Sequence, residues 1–407
     1  MAIMVSGAPV LQRSRARWPL AELKIPVGDL CEEHSCLSLS GELIPYNNPS
    51  NLQAKANVSN SSSVSRKRVL SGMRPTGKLH LGNYMGALHN WVRLQNEYDC
   101  YFFIADWHAL TTDYADPSQV ASNIREVALD YLAAGLDPEK SVLFVQSHVP
   151  QHAEFHLLLS MITPLGWLER VPTYKEQQEN ITGKDLSTYG FLGYPLLMAA
   201  DILIYQPDFV PVGQDQTAHV EITREVARRF NQFYKRPEPA TGEILPEPQV
   251  LLTPSPKLPG TDGRKMSKSY GNTILLSDPE SEIRRKIKPM VTDPARVRRT
   301  DPGSPDKCPV GDLHKIFSSQ ETIAEVYQGC TTAGIGCIQC KTWAADSIIG
   351  NLAPLQERRG RFEQNPGLVT EILQDGARRA QARAEQTMQE VRSAMGLAGL
   401  PVEAAAK

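Results

Sequence analysis

Arg66-Lys-Arg-Val-Leu-Ser71-Gly-Met-Arg-Pro-Thr-Gly-Lys-Leu-His80-Leu-Gly-Asn83 reads as a short strand, a turn and the start of a helix. The strand candidate spans 66–71. Gly72, Pro75 and Gly77 then break regular structure, and a helix is expected to about Asn96. Small residues let a backbone approach a phosphate, and the free N–H groups of a helix start favour an anion. The run is neither G-x-G-x-x-G nor G-x-x-x-x-G-K-[ST], so ordinary dehydrogenase and P-loop readings fail here. A loop of Gly, Pro and Thr is often a plain turn, so this reading needs support from elsewhere.

Working outward, the strand–helix texture repeats. Tyr101–Ala105 and Ser141–Gln146 read as buried strands, and Pro117–Leu132 reads as a helix closed by Gly135. Helices fill about 150–205, Phe209–Val212 is a short strand, and Thr217–Phe230 is helical. Strands alternating with helices imply an α/β fold, a doubly wound parallel sheet with right-handed crossovers. Such a sheet takes its ligand beyond the carboxyl ends of the strands. After about 275 the strands stop. Pro279–Ile287 and Leu313–Tyr327 are expected as helices, and an apolar stripe from Val369 to Met395 marks a last one. An all-helical second domain over 276–397 follows, with a tail at 398–407.

The chain of 407 residues is 41% apolar and 22% charged, which excludes wholesale disorder. A net charge of −2 excludes a protein that coats nucleic acid non-specifically but leaves room for a local basic face. Nothing approaches the ~20 consecutive apolar residues of a membrane span. Met1–Leu20 carries three arginines and no acid, loosely like a transit peptide. Glu22, Asp29, Glu32 and Glu33 follow, with no apolar segment before a cleavage site, and Asn47–Arg68 is rich in Asn and Ser. Residues 1–65 are therefore expected as a disordered extension.

Lys265-Met-Ser-Lys-Ser269 lies in a Gly-rich surround that begins at Gly260. Two lysines on a mobile loop can close over a polyphosphate and neutralise a leaving pyrophosphate. A lone lysine pair is usually solvated surface, but here a His-x-Gly-Asn element stands about 185 residues earlier. Asp201 lies in the apolar run Tyr194–Tyr205, where a carboxylate is costly to bury without a hydrogen-bond donor. Four of seven cysteines, Cys308, Cys330, Cys337 and Cys340, form C-x21-C-x6-C-x2-C. Four thiolates suit zinc or an iron–sulfur cluster, and the spacing does not separate the two. Arg284, Arg285, Lys286, Lys288, Arg296, Arg298 and Arg299 make a basic run against Glu280, Glu282 and Asp293.

Together these elements resemble the class I aminoacyl-tRNA synthetases. His80–Asn83 is similar to their first signature and Lys265–Ser269 to their second. Leu168–Glu176, Tyr194–Tyr205 and Val210–Gln216 leading into His219–Glu225 resemble the tryptophanyl branch rather than its tyrosyl sister. The resemblance spans about 67–397. It implies a Rossmann-like catalytic domain over 66–275 and a helical anticodon-binding domain over 276–397. The implied enzyme is a cytoplasmic homodimer, free of membranes. It would activate L-tryptophan with Mg2+ and ATP, pass it to tRNA(Trp), and release AMP and diphosphate.

The resemblance also assigns residues. His80, Asn83, Lys265 and Lys268 would be catalytic. ATP would be lined by Arg74, Pro75, Thr76, Gly82, Asn83, Gly213, Gln214, Asp215, Leu258, Lys265, Met266, Ser267, Lys268 and Ser269. Asp201 would accept the indole N–H, with Tyr194 and Met198 as walls, while Asp106 and His108 orient the substrate amino group. Many members carry Gln at the place of Arg74 and Glu at that of Gln214. Cys308, Cys330, Cys337 and Cys340 are similar to a bacterial subset holding a 4Fe-4S cluster, which is favoured over zinc. Two rivals remain: a non-catalytic relative that senses tRNA or tryptophan, and an ATP-dependent carboxylate activator without tRNA. Intact lysines weigh against the first, and the cysteine-bearing helical region against the second.

Overall fold

The computed structural model describes residues 66–180, 184–236, 242–252 and 258–397. The expected extension 1–65 and tail 398–407 lie outside the described residues. Five strands make one parallel sheet: β1 Arg68–Met73, β2 Asp99–Ile104, β3 Ser141–Val145, β4 Phe209–Val212 and β5 Gln249–Leu252. Their order is β3-β2-β1-β4-β5. Cys100–Ile104 and Val142–Val145 are buried throughout, as strands covered on both faces must be. The chain moves from β1 out to β3, then returns to the other side of β1 through β4. That reversal leaves a crevice above the carboxyl ends of β1 and β4.

Some elements depart from expectation for identifiable reasons. The helix after the first loop starts at Leu81–Asn83, widens into a π-turn at Tyr84–Leu88, and resumes as His89–Leu94. β5 was not expected. It is an edge strand with Gln249 and Leu252 exposed, and Pro246 and Pro248 precede it. The helix expected over 313–327 is two helices, Pro309–Phe317 and Gln320–Thr331. Ser319 divides them, its hydroxyl accepting from the Thr322 N–H at 3.3 Å, so cap chemistry overrides apolar periodicity.

Residues 276–397 share their cores with the sheet. The helix Cys337–Glu363 packs on Val120–Ala134 and buries Ile348, Leu352 and Leu355 in the same cluster as Trp91 and Phe102. The helix Pro366–Ala394 covers β3 and buries Ala377, Ala380, Ala384 and Met388 with Phe144 and Tyr205. Small residues permit this approach. A Cβ at Gly376 would lie 1.8 Å from the Leu143 carbonyl oxygen. Among the described residues, no helix is long and apolar enough to cross a membrane.

Candidate active site

A cavity of about 420 Å³ occupies the crevice. Ser71, Gly72 and Arg74 line it from β1 and the following loop, with His108, Tyr194, Met198, Asp201 and Gly213 opposite. Gly72 is needed there, because a Cβ would sit 2.8 Å from the Phe103 ring. The volume is that of an ordinary small-molecule site.

Asp201 forms the floor. Its carboxylate is buried and accepts from His108 Nε2 at 2.8 Å and His152 Nδ1 at 2.6 Å. Gln146 Nε2 donates to both of its oxygens, at 2.8 and 2.9 Å. Burial opposes the charge, but hydrogen bonds from His108 and His152 overcome it and hold the carboxyl at about 2. With an anionic acceptor on Nδ1, His152 meets the Tyr205 hydroxyl through Nε2 at 2.8 Å. The Trp107 N–H donates to Gln146 Oε1 at 3.1 Å, which turns the amide nitrogen toward Asp201. Gln146, His152 and Tyr205 were not singled out in the sequence, because no local motif marks residues gathered from three elements. Asp106 accepts from the Ser147 N–H at 3.0 Å and braces the same corner.

The first signature forms a reciprocal cap. The His80 N–H donates to Asn83 Oδ1 at 3.1 Å, and the Asn83 N–H donates to His80 Nδ1 at 3.3 Å. His80 is buried, and that burial, helped by Lys268, lowers its pKa to about 4. The imidazole is therefore neutral at pH 7. Nδ1 is an acceptor, so the proton resides on Nε2, free to donate to a phosphate oxygen. Gly82 keeps the ring in place, since a Cβ there would come within 2.9 Å of it. Arg74 donates to Thr112 Oγ1 at 2.5 Å, while its buried Nε has no partner among the described residues. Burial lowers the Arg74 pKa, partly offset by Asp113 and Tyr194.

The second signature reaches the first. Lys268 Nζ donates to the Gly77 and Thr76 carbonyls at 2.8 and 3.1 Å and lies 3.4 Å from Thr76 Oγ1. Burial lowers the Lys268 pKa to about 8, with Asp130 opposing the shift. Lys265 is exposed on the same loop. Asn272, unmarked in the sequence reading, ties that loop together. It accepts from the Ser267 N–H at 2.8 Å and donates to Asp262 at 2.7 Å and the Lys265 carbonyl at 3.2 Å. Ser267 and Ser269 share a hydroxyl contact at 2.8 Å, and Met266 is buried. Leu258 is buried as well, and its carbonyl accepts from the Met266 N–H at 3.0 Å. Pro75 lines a neighbouring recess and Gln214 is exposed, while the Asp215 side chain lies outside the described residues.

The cysteines converge at the far end of the chain's helical part. Cys308 caps Pro309–Phe317, Cys330 closes Gln320–Thr331, and Cys337 and Cys340 occupy the first turn of Cys337–Glu363. Burial, then the neighbouring Cys308, Cys330 and Cys337, push the Cys340 thiol up to about 12. Among the described residues, no three His, Cys, Asp or Glu side chains are grouped to hold a single metal ion. In the basic run Arg284 pairs with Glu280 and Asp346, Arg285 with Glu282, and Lys286 with Asp278. Lys288, Arg298 and Arg299 stay exposed.

Residues 63–353 match the family model described as tRNA synthetases class I (W and Y). A tryptophan–tRNA ligase of Ralstonia nicotianae is 50% identical over 394 residues, covering 81% of this chain and 98% of the relative. The chain belongs to the tryptophan–tRNA ligases. Another ligase of this family, from Thermotoga maritima, is 53% identical across 81% of this chain and 99% of its own. Tryptophanyl-tRNA synthetase of Campylobacter jejuni, solved with ADP and tryptophan, superposes with a TM-score of 0.73 at 34% identity. That superposition covers 81% of this chain and all of the Campylobacter one. The ligase activity joins tryptophan to tRNA with ATP as the energy source.

Proposed function

We propose that the cavity above β1 and β4 is where this ligase makes tryptophanyl-adenylate. The observation that carries the assignment is Lys268 lying against Thr76 and Gly77, which ties the second signature to the loop whose Arg74 lines the cavity floored by Asp201. Tryptophan's carboxylate, ionised at pH 7, attacks the α-phosphorus of Mg2+-bound ATP in line. The new C–O–P bond forms as the bond to pyrophosphate breaks, so the protein supplies no covalent nucleophile. His80 donates from Nε2 to the α-phosphate, and Lys265 and Lys268 neutralise the departing pyrophosphate. Arg74, Pro75, Thr76, Gly82 and Asn83 cradle the phosphates, and the segment Gly213, Gln214 and Asp215 is assigned the ribose and adenine side. A hydroxyl of the tRNA 3′ end then takes the tryptophanyl group and releases AMP.

Asp201 selects the amino acid by accepting the indole N–H between Tyr194 and Met198. Gln146 touches both carboxylate oxygens, so it can yield one to the indole and keep the other. An amino acid without that donor leaves the buried carboxylate short of a partner. Purified enzyme tests the whole reading: tryptophan should drive ATP–pyrophosphate exchange and tyrosine should not. Exchange driven by tyrosine would refute the assignment of Asp201.

Residues 276–397 are proposed to read the anticodon, with Cys308, Cys330, Cys337 and Cys340 holding a 4Fe-4S cluster. The donor set fits. Four thiols share one region, and Arg296 donates to Cys330 Sγ at 3.7 Å while its other nitrogen holds the Ile335 carbonyl at 2.7 Å. A single zinc ion draws its ligands to one point, whereas a four-iron cluster gives each thiolate its own iron. When bound, the cluster supplies cross-linking of the three segments rather than reaction chemistry. Lys288, Arg298 and Arg299 offer the adjacent phosphate contacts. A homodimer is supported by Leu157, Met161, Leu165 and Phe233, each more than half exposed. A cytoplasmic location is part of the same proposal, supported by the tRNA substrate of the family.

A further inference from the structure

Asp130 is a fully buried carboxylate that the adenylation chemistry leaves unused. It stands on the helix Val120–Ala134 and accepts from the Leu79 N–H at 2.8 Å. Its other oxygen meets Nη1 of Arg359, itself buried on the helix Cys337–Glu363. Arg359 also donates to Glu126 at 2.5 Å and to Glu363 at 2.9 Å.

Leu79 directly precedes His80. The Leu79 carbonyl accepts from the Leu276 N–H at 2.9 Å, and the Leu81 N–H donates to the Ile274 carbonyl at 3.0 Å. Gln356, on the same helix as Arg359, donates to the Leu276 and Asp278 carbonyls at 3.0 and 2.9 Å. One helix therefore grips both strands of the bridge that presents the imidazole: Gln356 holds one, and Arg359 holds the other through Asp130.

A buried ion pair is poorly explained by stability. The cost of desolvating two charges is comparable to their attraction, and apolar side chains of similar volume fill such space as well or better. Leucines at 130 and 359 could not, however, accept the Leu79 N–H, and a buried donor left unsatisfied shifts or costs free energy. Burial pushes the Asp130 carboxyl up to about 6 against the opposing pull of Arg359 and the Leu79 N–H.

We infer that Asp130 and Arg359 are positioning residues for adenylate formation, fixing the Leu79 peptide and through it the His80 imidazole against the α-phosphate. The inference rests on the role assigned to His80. It also means that the helix starting at Cys337 and Cys340 sets the ATP signature directly.

The test is tryptophan-dependent ATP–pyrophosphate exchange with full-length protein. Asp130→Asn keeps an acceptor for Leu79 but loses the charge that supports Lys268 and turns an N–H2 toward Arg359, which retains Glu126 and Glu363. Its kcat should therefore fall clearly less than that of the leucine pair. D130L/R359L removes both charges and the acceptor. Its kcat should fall about tenfold or more, with the Kd for tryptophan unchanged within about twofold. Parental kcat in folded D130L/R359L would overturn the inference, as would Asp130→Asn being equally slow. If the leucine pair does not fold, hydrogen exchange at the Leu79 amide decides. Protection retained in Asp130→Asn supports the role, and an unprotected amide in the folded parent removes it. His80→Ala separates the two levels of argument: full activity there would sink the site assignment itself. A slow His80→Ala beside a normal leucine pair would sink only the positioning.

Discussion

Lys268 Nζ donates to the Gly77 carbonyl at 2.8 Å, joining loops 191 residues apart. The contact holds the ammonium at the place an incoming polyphosphate would claim. Neutral carbonyls are weaker partners than phosphate oxygens, so in the proposed reaction ATP would displace them. Lys268→Ala should lower kcat for exchange by ~10²-fold or more, as loss of a transition-state charge contact does. A loss under about fivefold would remove its assigned role.

Two shifted groups set the pH profile. His80 titrates at about 4 and Lys268 at about 8 in the ligand-free protein. kcat/KM for ATP, which reports free-enzyme ionisations, should be flat through pH 6–7 and fall above about 8. An inflection near 6.5 that disappears in His80→Asn would contradict this. The stability consequence has the opposite sense on the acid side. The unfolded chain protonates His80 below about 6.5 while the folded chain resists until about 4, so stability falls as pH drops through that window. The Tm lost between pH 7 and 5 should shrink in His80→Asn.

Asn272 satisfies a backbone donor, a backbone acceptor and a carboxylate from one buried side chain. Asn272→Ala should lower exchange by about tenfold or more and leave tryptophan binding, followed by fluorescence, within about twofold. Gly260 is its packing partner, and Gly260→Ala would bring a Cβ within 2.2 Å of the Asn272 amide. The two variants should therefore share a phenotype. Normal exchange in either would show that the loop orders itself without the knot.

Asp201→Asn replaces an acceptor with a group that presents N–H toward donors on Gln146, His108 and His152. Two or more mismatched contacts, at about 1–3 kcal/mol each, should weaken tryptophan binding at least tenfold. KM for ATP should change little. Calorimetric titration with tryptophan checks it; undiminished affinity would take Asp201 out of the pocket.

Anaerobically purified protein should be brown, with a broad absorbance near roughly 400 nm from thiolate–iron charge transfer. Cys337→Ser should impair tRNA charging far more than exchange. A colourless protein carrying one equivalent of zinc would replace iron while keeping the ligands. Equal loss of both activities would mean that the cysteines hold the whole fold together.

The parallel sheet and the two family motifs were legible because their information is local. Apolar runs mark β1–β4, and short motifs mark His80–Asn83 and Lys265–Ser269. β5 was not, since a four-residue edge strand with an exposed Gln249 and Leu252 carries no hydrophobic pattern. The partners of Asp201 and of Leu79 were also invisible. Gln146 is 55 residues from Asp201, and Arg359 is 229 from Asp130, so only the folded chain brings them together. The expected boundary near 276 follows the end of the strands, while the residues beyond it share their cores with the sheet. Periodicity alone could not show that the stripe of Ala377, Ala380 and Ala384 is apolar because it faces β3.

That last helix has a consequence for how the enzyme is made. The face of β3 against Gly376 stays bare until the helix Pro366–Ala394 has left the ribosome, long after His80 and Lys268 have emerged. A nascent chain or a prematurely terminated one exposes that apolar face to chaperones and proteases rather than folding into a slow catalyst.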